Sequence, residues 1–538
     1  MAEGVHQASE KVLTTFPVPY KGVMRGTSEV ELPRDALWTG QNLHFFEGEL
    51  RQRQSWNLLR QVTVAAPPKS PNGGDITTIF TGHRAGTRRK LLFTGGRGAV
   101  RVLQDGAPAG WVTLVAWAGA PNPRFNQVRF TEIATDTPLT TKVIYCNGVN
   151  TPRQVTIPAT AVAFAADSAL PGAPIWKDIC IASDRLVGIT DTEVQWGEAL
   201  RLDVFPALNV KSLAETLDLA ITIRPLGTLN VGIWKEHTMW IGTARGGSSA
   251  GYFSWKLLKV VDGPASPNAL CSDSKGNGYW MTRTGRIVMM GEGYKITYPG
   301  DGVWSIVRGE LPVINDDRVV FHATYVPNND EVWFFYPQAN GCNPLRVQRA
   351  VVLCNPSTKP AAFIVQFTGA VGTIDVSASG VIGENAFSLG SQQYHDEGVI
   401  VYELAAGNAA AVLALPQELQ STGDDTFTAL MQTGLQQVPG QDSSRLESTE
   451  FFLRRGAAVH PGTATMTMRP LSSHVLDVQG GTVGAAVTVD GLNGTAPIKA
   501  ITGADDIRGR FFGFRLEGAN INSAFRYLGS VLRGRRLD

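Results

Sequence analysis

Apolar positions along this chain fall in short runs of four to seven residues rich in β-branched and aromatic side chains. Gly, Asn or Asp interrupts each run, and a second run follows. Lys90–Thr94 reaches Ala99–Leu103 through Gly95–Gly98. The pattern repeats at Lys142–Cys146 with Gln154–Ile157, and at Asp178–Ile181 with Leu186–Ile189 and Glu193–Trp196. It returns at Val231–Trp234 with Thr238–Ile241, at Gly278–Met281 with Arg286–Met290, and at Glu331–Tyr336 with Arg349–Leu353. Runs of this length between turn residues predict strands joined as hairpins. Helical periodicity is scarce. Its best segments, Leu213–Ile223 and Ala405–Leu415, are short, and Pro416 stops the second.

The hairpins recur about every 40 to 50 residues, the span of one four-stranded propeller blade. A repeated hairpin alone also suits a sandwich or a meander barrel. The length of the region, the scarcity of helix and the tryptophans inside strands tilt the expectation to a large β-propeller. From about Thr426 the aromatics thin and Thr-rich alternation appears at Ala464–Arg469 and Ala486–Val489. Alternation means one buried and one wet face, so an additional C-terminal antiparallel β-sandwich or platform is expected. The expected class is therefore all-β, with an N-terminal arm (1–40), a β-propeller (41–425) and a C-terminal β domain (426–538).

Composition supports many turns: 58 Gly and 30 Pro in 538 residues, with 18% charged residues. The hydrophobic fraction of 43% excludes a disordered chain, because that much apolar surface offsets chain entropy by burial. A formal charge of +1 argues against a general nucleic-acid coater but leaves room for local basic stripes. Cys146, Cys180, Cys271, Cys342 and Cys354 form no C-x-x-C pair, and several lie in apolar runs. Free thiols and a reducing compartment of synthesis are expected, with no disulfide framework and no zinc site. Met1–His6 lacks the basic and apolar blocks of a secretory signal, and no apolar stretch nears the length of a membrane span.

Catalytic signatures are weak. Gly95–Gly98 is followed by another β run and has no P-loop lysine, so it reads as a hairpin turn. Ser272–Trp280 offers a single carboxylate, Asp273, and reads as a turn feeding Tyr279 and Trp280 rather than a calcium loop. Gly247–Gly251 matches G-x-S-x-G with Ser249 at the nucleophile position, but a strand-like run follows where an elbow needs a helix. The eight histidines form no H-x-x-x-H or H-x-H pair. Asp191 with Glu193, and Asp396 with Glu397, are the nearest approach to a glycosidase pair. No catalytic, metal or cofactor residue is assigned, and the chain is read as a non-enzyme.

The basic C-terminus is the stronger candidate. Between Ile507 and Arg536 there are seven arginines and one acid, Glu517. Arg508, Arg510 and Arg526 lie among Phe511, Phe512, Phe514, Phe525 and Tyr527, and Arg508, Arg510 and Arg515 are the candidate contact residues. Either they are the solvated face of a strand with an aromatic core face, or they contact a neighbouring subunit or DNA. Arg84, Arg88 and Arg89, beside Lys90, form a second cluster expected in a surface loop.

The order of signals resembles a known family. Leu32–Leu43 followed by Glu47–Gln54, with its Gly-x-Leu-x-x-Arg turn, is similar to the opening of the tail hub or nozzle proteins of short-tailed double-stranded DNA bacteriophages. These are also called packaged-DNA stabilisation proteins. Leu229–Thr243, Ser266–Ser272, Gly278–Met281, Gly285–Met289 and the closing Gly509–Leu516 continue the resemblance across most of the chain. The resemblance implies a structural virion protein: a homohexameric ring below the portal and its adaptor (the head-to-tail connector), retaining and conducting double-stranded DNA. It also implies tail fibre or needle proteins as neighbours, assembly in the host cytoplasm and residence in the virion tail. Two other expectations stay open: a carbohydrate-active or carbohydrate-binding β-propeller, as in a tail-associated depolymerase, and a cellular interaction scaffold.

Overall fold

The computed structural model describes residues 11–536 except 26–30, 47–48, 53–56, 63–75, 84–89, 97–98, 104–110, 118–126, 135–140, 158–165, 202–203, 248–250, 260–261, 274, 313–320, 328–329, 339–346, 367, 370–371, 374–375, 383–386, 390–391, 395–397, 405–409, 416–427, 434, 438–443, 456–465, 474–481, 484–486, 490–497, 510 and 520–524. Strand dominates, and the chain is all-β in class.

Five four-stranded antiparallel meanders follow one another in sequence. The first comprises Ile76–His83, Lys90–Gly96, Ala99–Leu103 and Trp111–Ala116. The second is Arg129–Ala134, Thr141–Cys146, Arg153–Ile157 and Ser168–Ala169. Asp178–Ala182, Arg185–Ile189, Glu193–Trp196 and Val210–Ser212 form the third. Ala220–Leu226, Asn230–Lys235, Thr238–Ala244 and Phe253–Lys259 form the fourth. The fifth runs Leu270–Ser272, Gly278–Met281, Ile287–Met290 and Ile296–Thr297.

Two more meanders lie within a larger, 15-stranded sheet. His322–Val326, Glu331–Pro337, Val347–Cys354 and Ala361–Gln366 make the sixth. The seventh takes Val376–Ile382, Gly398–Leu404 and Ala410–Leu415 from late in the chain and its outer strand, Asn57–Val62, from early in it. The first strands of the meanders lie side by side in order, and Val376–Ile382 of the seventh packs back against Ile76–His83 of the first.

Stacking of consecutive meanders explains their sequences. Val143, Tyr145 and Val155 of the second face Phe93, Val100 and Val102 of the first. Ile144 and Cys146, on the opposite face of the same strand, meet Ile179 and Leu186 of the third. Val187, Val194 and Trp196 then meet Ile223, Val231 and Trp240 of the fourth. Trp234, Met239 and Ile241 in turn meet Leu270, Trp280 and Val288 of the fifth. A strand covered on both faces reads as a continuous apolar run rather than an alternation. Arg185–Ile189, Gly278–Met281 and Glu331–Pro337, each the second strand of its meander, are buried at every position. Close packing also dictates a glycine at 188, where a Cβ would stand 2.2 Å from the Trp176 ring.

Strands from the two chain ends build the remaining sheets. Lys11–Phe16 and the hairpin of Leu43–Phe46 with Glu49–Gln52 both pair with Phe525–Arg536, which continues through Ser444–Arg455 to Ile498–Gly509. Leu37–Gln41 pairs with Thr428–Thr433, then Phe511–Ala519 and Met466–Ser473 follow. Phe16, Leu50 and Tyr527 from one sheet share a core with Met431, Met468 and Phe514 from the other. Phe16 meets Phe514 edge-on at 5.4 Å, and the Tyr527 hydroxyl donates to the Phe16 carbonyl at 3.3 Å. Gln41 pairs in parallel with Ile364 and so joins these sheets to the sixth meander.

Neither segment with the best helical periodicity is a helix among the described residues. Ala220–Leu226 and Ala410–Leu415 are strands, because each is taken up by partners on a sheet and pairing overrides weak local preference; 405–409 lies outside the described residues. The α-helix of the described residues is instead Asp301–Glu310, between the fifth and sixth meanders. Asp301 complements the helix dipole and accepts from Nε and Nη2 of Arg286, both at 3.0 Å, while Val303 and Val307 are buried. Among the described residues no helix is long and apolar enough to cross a membrane.

Candidate functional site

Charged side chains from three neighbouring first strands, Arg129, Asp178 and Arg224, meet inside the series of meanders. Asp178 opens the third meander and is fully buried. Its Oδ1 accepts from Arg129 Nε of the second meander at 3.0 Å and from the Ile179 N–H at 2.8 Å. Its Oδ2 accepts from Arg224 Nη1 of the fourth at 2.8 Å, the Thr222 hydroxyl at 2.5 Å and the Ile223 N–H at 3.1 Å. One carboxylate thus ties three neighbouring meanders through charge-assisted bonds that satisfy it on both oxygens. Losing one partner of such a buried group typically costs about 3–5 kcal/mol, because the remaining charge is stranded.

A second knot crosses from the fifth meander to the first two. The short turn Pro267–Ala269 is buried. Its Asn268 N–H donates to Gln127 Oε1 at 3.0 Å, and Asn268 Nδ2 donates to the Thr78 hydroxyl at 3.0 Å. Thr78 in turn donates to the Val128 carbonyl at 2.7 Å, and Arg224 Nη2 donates to the Pro267 carbonyl at 3.1 Å. Beside these knots, where the first strands converge, is a cavity of 310 Å³. Thr78, Phe80, Arg129, Phe130, Arg224 and Ser272 are among its lining residues.

Two buried lysines fasten the third and fourth meanders from the other side. Lys177 Nζ donates to Asp191 Oδ1 at 2.6 Å and to the Ala220 carbonyl at 2.8 Å. Lys235 Nζ donates to the carbonyls of Leu213 and Thr216 at 2.9 and 3.0 Å, and lies 3.3 Å from Asp218. Burial on its own would raise the Asp218 carboxyl. The N–H of His237, the hydroxyls of Thr216 and Thr238 and the Lys235 charge outweigh it and hold the group at about 2.

Of the arginines predicted from sequence, Arg515 has a described side chain. It lies half-exposed on Phe511–Ala519, with Phe514 and Leu516 buried on the opposite face, so the expected alternation of aromatic and charged faces is present. Its Nη2 is 3.3 Å from Glu517 Oε2. Cross-strand pairing sets Arg515 opposite Gln432 on one side and Arg469 on the other, and Arg469 is exposed. Arg469 was not singled out in the sequence, since only the strand register brings it beside Arg515. Arg508 lies on Ile498–Gly509, opposite Arg445. Arg510, Arg84, Arg88 and Arg89 lie outside the described residues.

The weaker motifs resolve into structure. Lys90–Gly96 and Ala99–Leu103 pair as a hairpin across the glycine turn. Asp273 Oδ1 accepts from the N–H groups of Lys275 and Asn277, both at 2.9 Å, and Oδ2 from Asn277 Nδ2 at 2.7 Å and the Tyr279 hydroxyl at 3.0 Å. It is a turn-forming carboxylate whose acceptors are used. Burial, then this neighbouring charge, pushes the Tyr279 hydroxyl up. Ser249 lies outside the described residues, and the strand Phe253–Lys259 follows where a nucleophile elbow requires a helix. Asp191 holds Lys177, whereas Asp396 and Glu397 lie outside the described residues. Cys146, Cys180, Cys271 and Cys354 are free thiols pushed up by burial and, next, by nearby carboxylates; Cys342 lies outside the described residues. Among the described residues no His, Cys, Asp and Glu side chains are grouped to hold a metal.

No model of a known protein family matches the chain, and no curated protein matches it.

Proposed function

We propose that the seven meanders form one β-propeller, that the strands from both chain ends form a β-sandwich platform beside it, and that the whole is a structural virion protein. In this reading the protein is the tail nozzle of a short-tailed double-stranded DNA phage. Six copies form a ring below the portal and its adaptor, with tail fibre or needle proteins attached, and the ring retains and conducts the packaged DNA. The observation that carries the reading is the joining of two bodies. A circuit of first strands returns to its start, and Asn57–Val62 completes the last meander. A second body built from both chain ends is continuous with the sixth meander. That combination is the one implied by the resemblance to tail hubs. The polar groups inside the meanders fit it, being spent on holding strands together.

A cavity of 310 Å³ admits no duplex, so the DNA path in this reading runs between copies, not through the propeller axis. The Arg469 and Arg515 face is the described surface suited to a neighbouring subunit or to phosphate. Negative-stain imaging of the purified protein and of virions tests the reading. Sixfold rings located in the tail are expected; a stable monomer absent from virions would sink it.

The second reading is a carbohydrate-active or carbohydrate-binding propeller, favoured by the cavity and its aromatic wall of Phe80, Phe130 and Tyr325. Hydrolysis requires two carboxylates facing the sugar. The described residues of the cavity lining include none. Turnover of any glycan in a panel would overturn the structural reading.

A further inference from the structure

We propose that the cavity where the first strands converge binds a small organic anion, a carboxylate or phosphate carried on a flat apolar body. This does not depend on how copies assemble. The charge balance comes first. Two guanidiniums, Arg129 and Arg224, line the cavity, and the carboxylate that answers them, Asp178, is fully buried behind them. One carboxylate against two guanidiniums leaves a positive charge, and no acid is among the described lining residues. An uncompensated charge at a low-dielectric wall attracts an anion far more strongly than one on an open surface.

The donors are also placed for it. Arg224 is occupied: Nη1 donates to Asp178 at 2.8 Å and to the Ile223 carbonyl at 2.5 Å, and Nη2 to the Pro267 carbonyl. Arg129 gives only Nε to Asp178, and its two Nη nitrogens make no hydrogen bond among the described residues. The bond through Nε fixes the plane of the guanidinium and leaves its outer edge as a fork, the geometry that takes a carboxylate or phosphate by two parallel bonds. Ser272, on the first strand of the fifth meander, adds a hydroxyl to the same lining.

The body of the ligand is read from the rest of the wall. Phe80 and Phe130 lie parallel, with centroids 5.5 Å apart and planes 10° apart, and Ile79 and Leu270 extend the apolar surface. A volume of 310 Å³ is at the small end of ligand sites, enough for a ring-sized molecule and too little for a polymer segment.

Calorimetry on the full chain tests this with benzoate and phenyl phosphate as probes, inorganic phosphate as the bare anion, and benzyl alcohol as the uncharged counterpart. Both aromatic anions are expected to bind and raise Tm, inorganic phosphate to bind more weakly, and benzyl alcohol not to bind. Arg129→Lys retains a charge for Asp178 but removes the fork, and should weaken benzoate about tenfold or more. Ser272→Glu supplies the missing negative charge without touching the Asp178 cluster and should abolish binding, while Ser272→Gln, of the same size and without charge, should weaken it far less. Three results would overturn the proposal: benzyl alcohol binding as well as benzoate, Ser272→Glu binding like the parent, or no anion binding at about 10 mM.

Discussion

Asp178 and Asp218 illustrate how the hydrogen-bonding capacity of a carboxylate is met inside a β-structure. Asp178 has two guanidiniums; Asp218 has two backbone N–H donors, two hydroxyls and the Lys235 ammonium. Asp218 makes a pH prediction. Its folded value of about 2 lies below the unfolded 3.8, so the charged form is favoured by folding. Its stabilisation, about 2 kcal/mol, is fully present above the unfolded value and disappears as pH falls through the folded one. Asp218→Asn should therefore cost about 2 kcal/mol in urea unfolding at pH 7. The gap to the parent should narrow between about pH 4 and 2. A gap that is constant with pH would refute the account. Neither aspartate was marked in the sequence. Arg129 and Arg224 stand 49 and 46 residues from Asp178, and only stacking of the meanders brings them together. Arg515 was legible because alternation within one strand is local.

At the scale of elements, the hairpins were readable and the helix was not. Three of the second strands of the meanders are buried at every position because both faces are covered, and turn residues bound them sharply. Asp301–Glu310 carries Gly302 and Gly309 and buries only Val303 and Val307, so it has neither strong propensity nor a wide apolar stripe. Pairing of Asn57–Val62 with Ala410–Leu415 was equally hidden, since nothing local connects segments so far apart. That pairing gives a direct test. Arg60 and Val412 are register partners, so Arg60→Cys with Val412→Cys should form a disulfide under oxidation. A cross-link over a loop this long should stabilise by about 4 kcal/mol or more in the chain-entropy model, and reductant should remove the gain. Failure to cross-link in the folded protein would mean the outer strand belongs elsewhere.

On the scale of the whole molecule, the basic face of the end-strand sheets is where assembly is to be tested. Arg469 and Arg515 lie side by side on adjacent strands, with one acid, Glu517, beside Arg515. Charge reversal at Arg515 together with Arg508, Arg510 or Arg469 should abolish ring formation or genome retention while the monomer stays folded. Arg469 is exposed and Arg515 half-exposed, and such charges contribute little to monomer stability, within about 1 kcal/mol. Virions of normal DNA content from these variants would remove the idea that the face meets a neighbour or DNA. The pairing of early with late strands also sets a timetable for synthesis. Asn57–Val62 waits for Ala410–Leu415, and Lys11–Phe16 waits for Phe525–Arg536. At ribosomal rates, the roughly 350 residues between the first pair and roughly 510 between the second take about 20–100 s to make. Throughout that interval the early strands have no partner, so chains cut short by a premature stop lack the late strands that finish either body. Only a ribosome that has read through to the late strands releases a chain in which both bodies are finished.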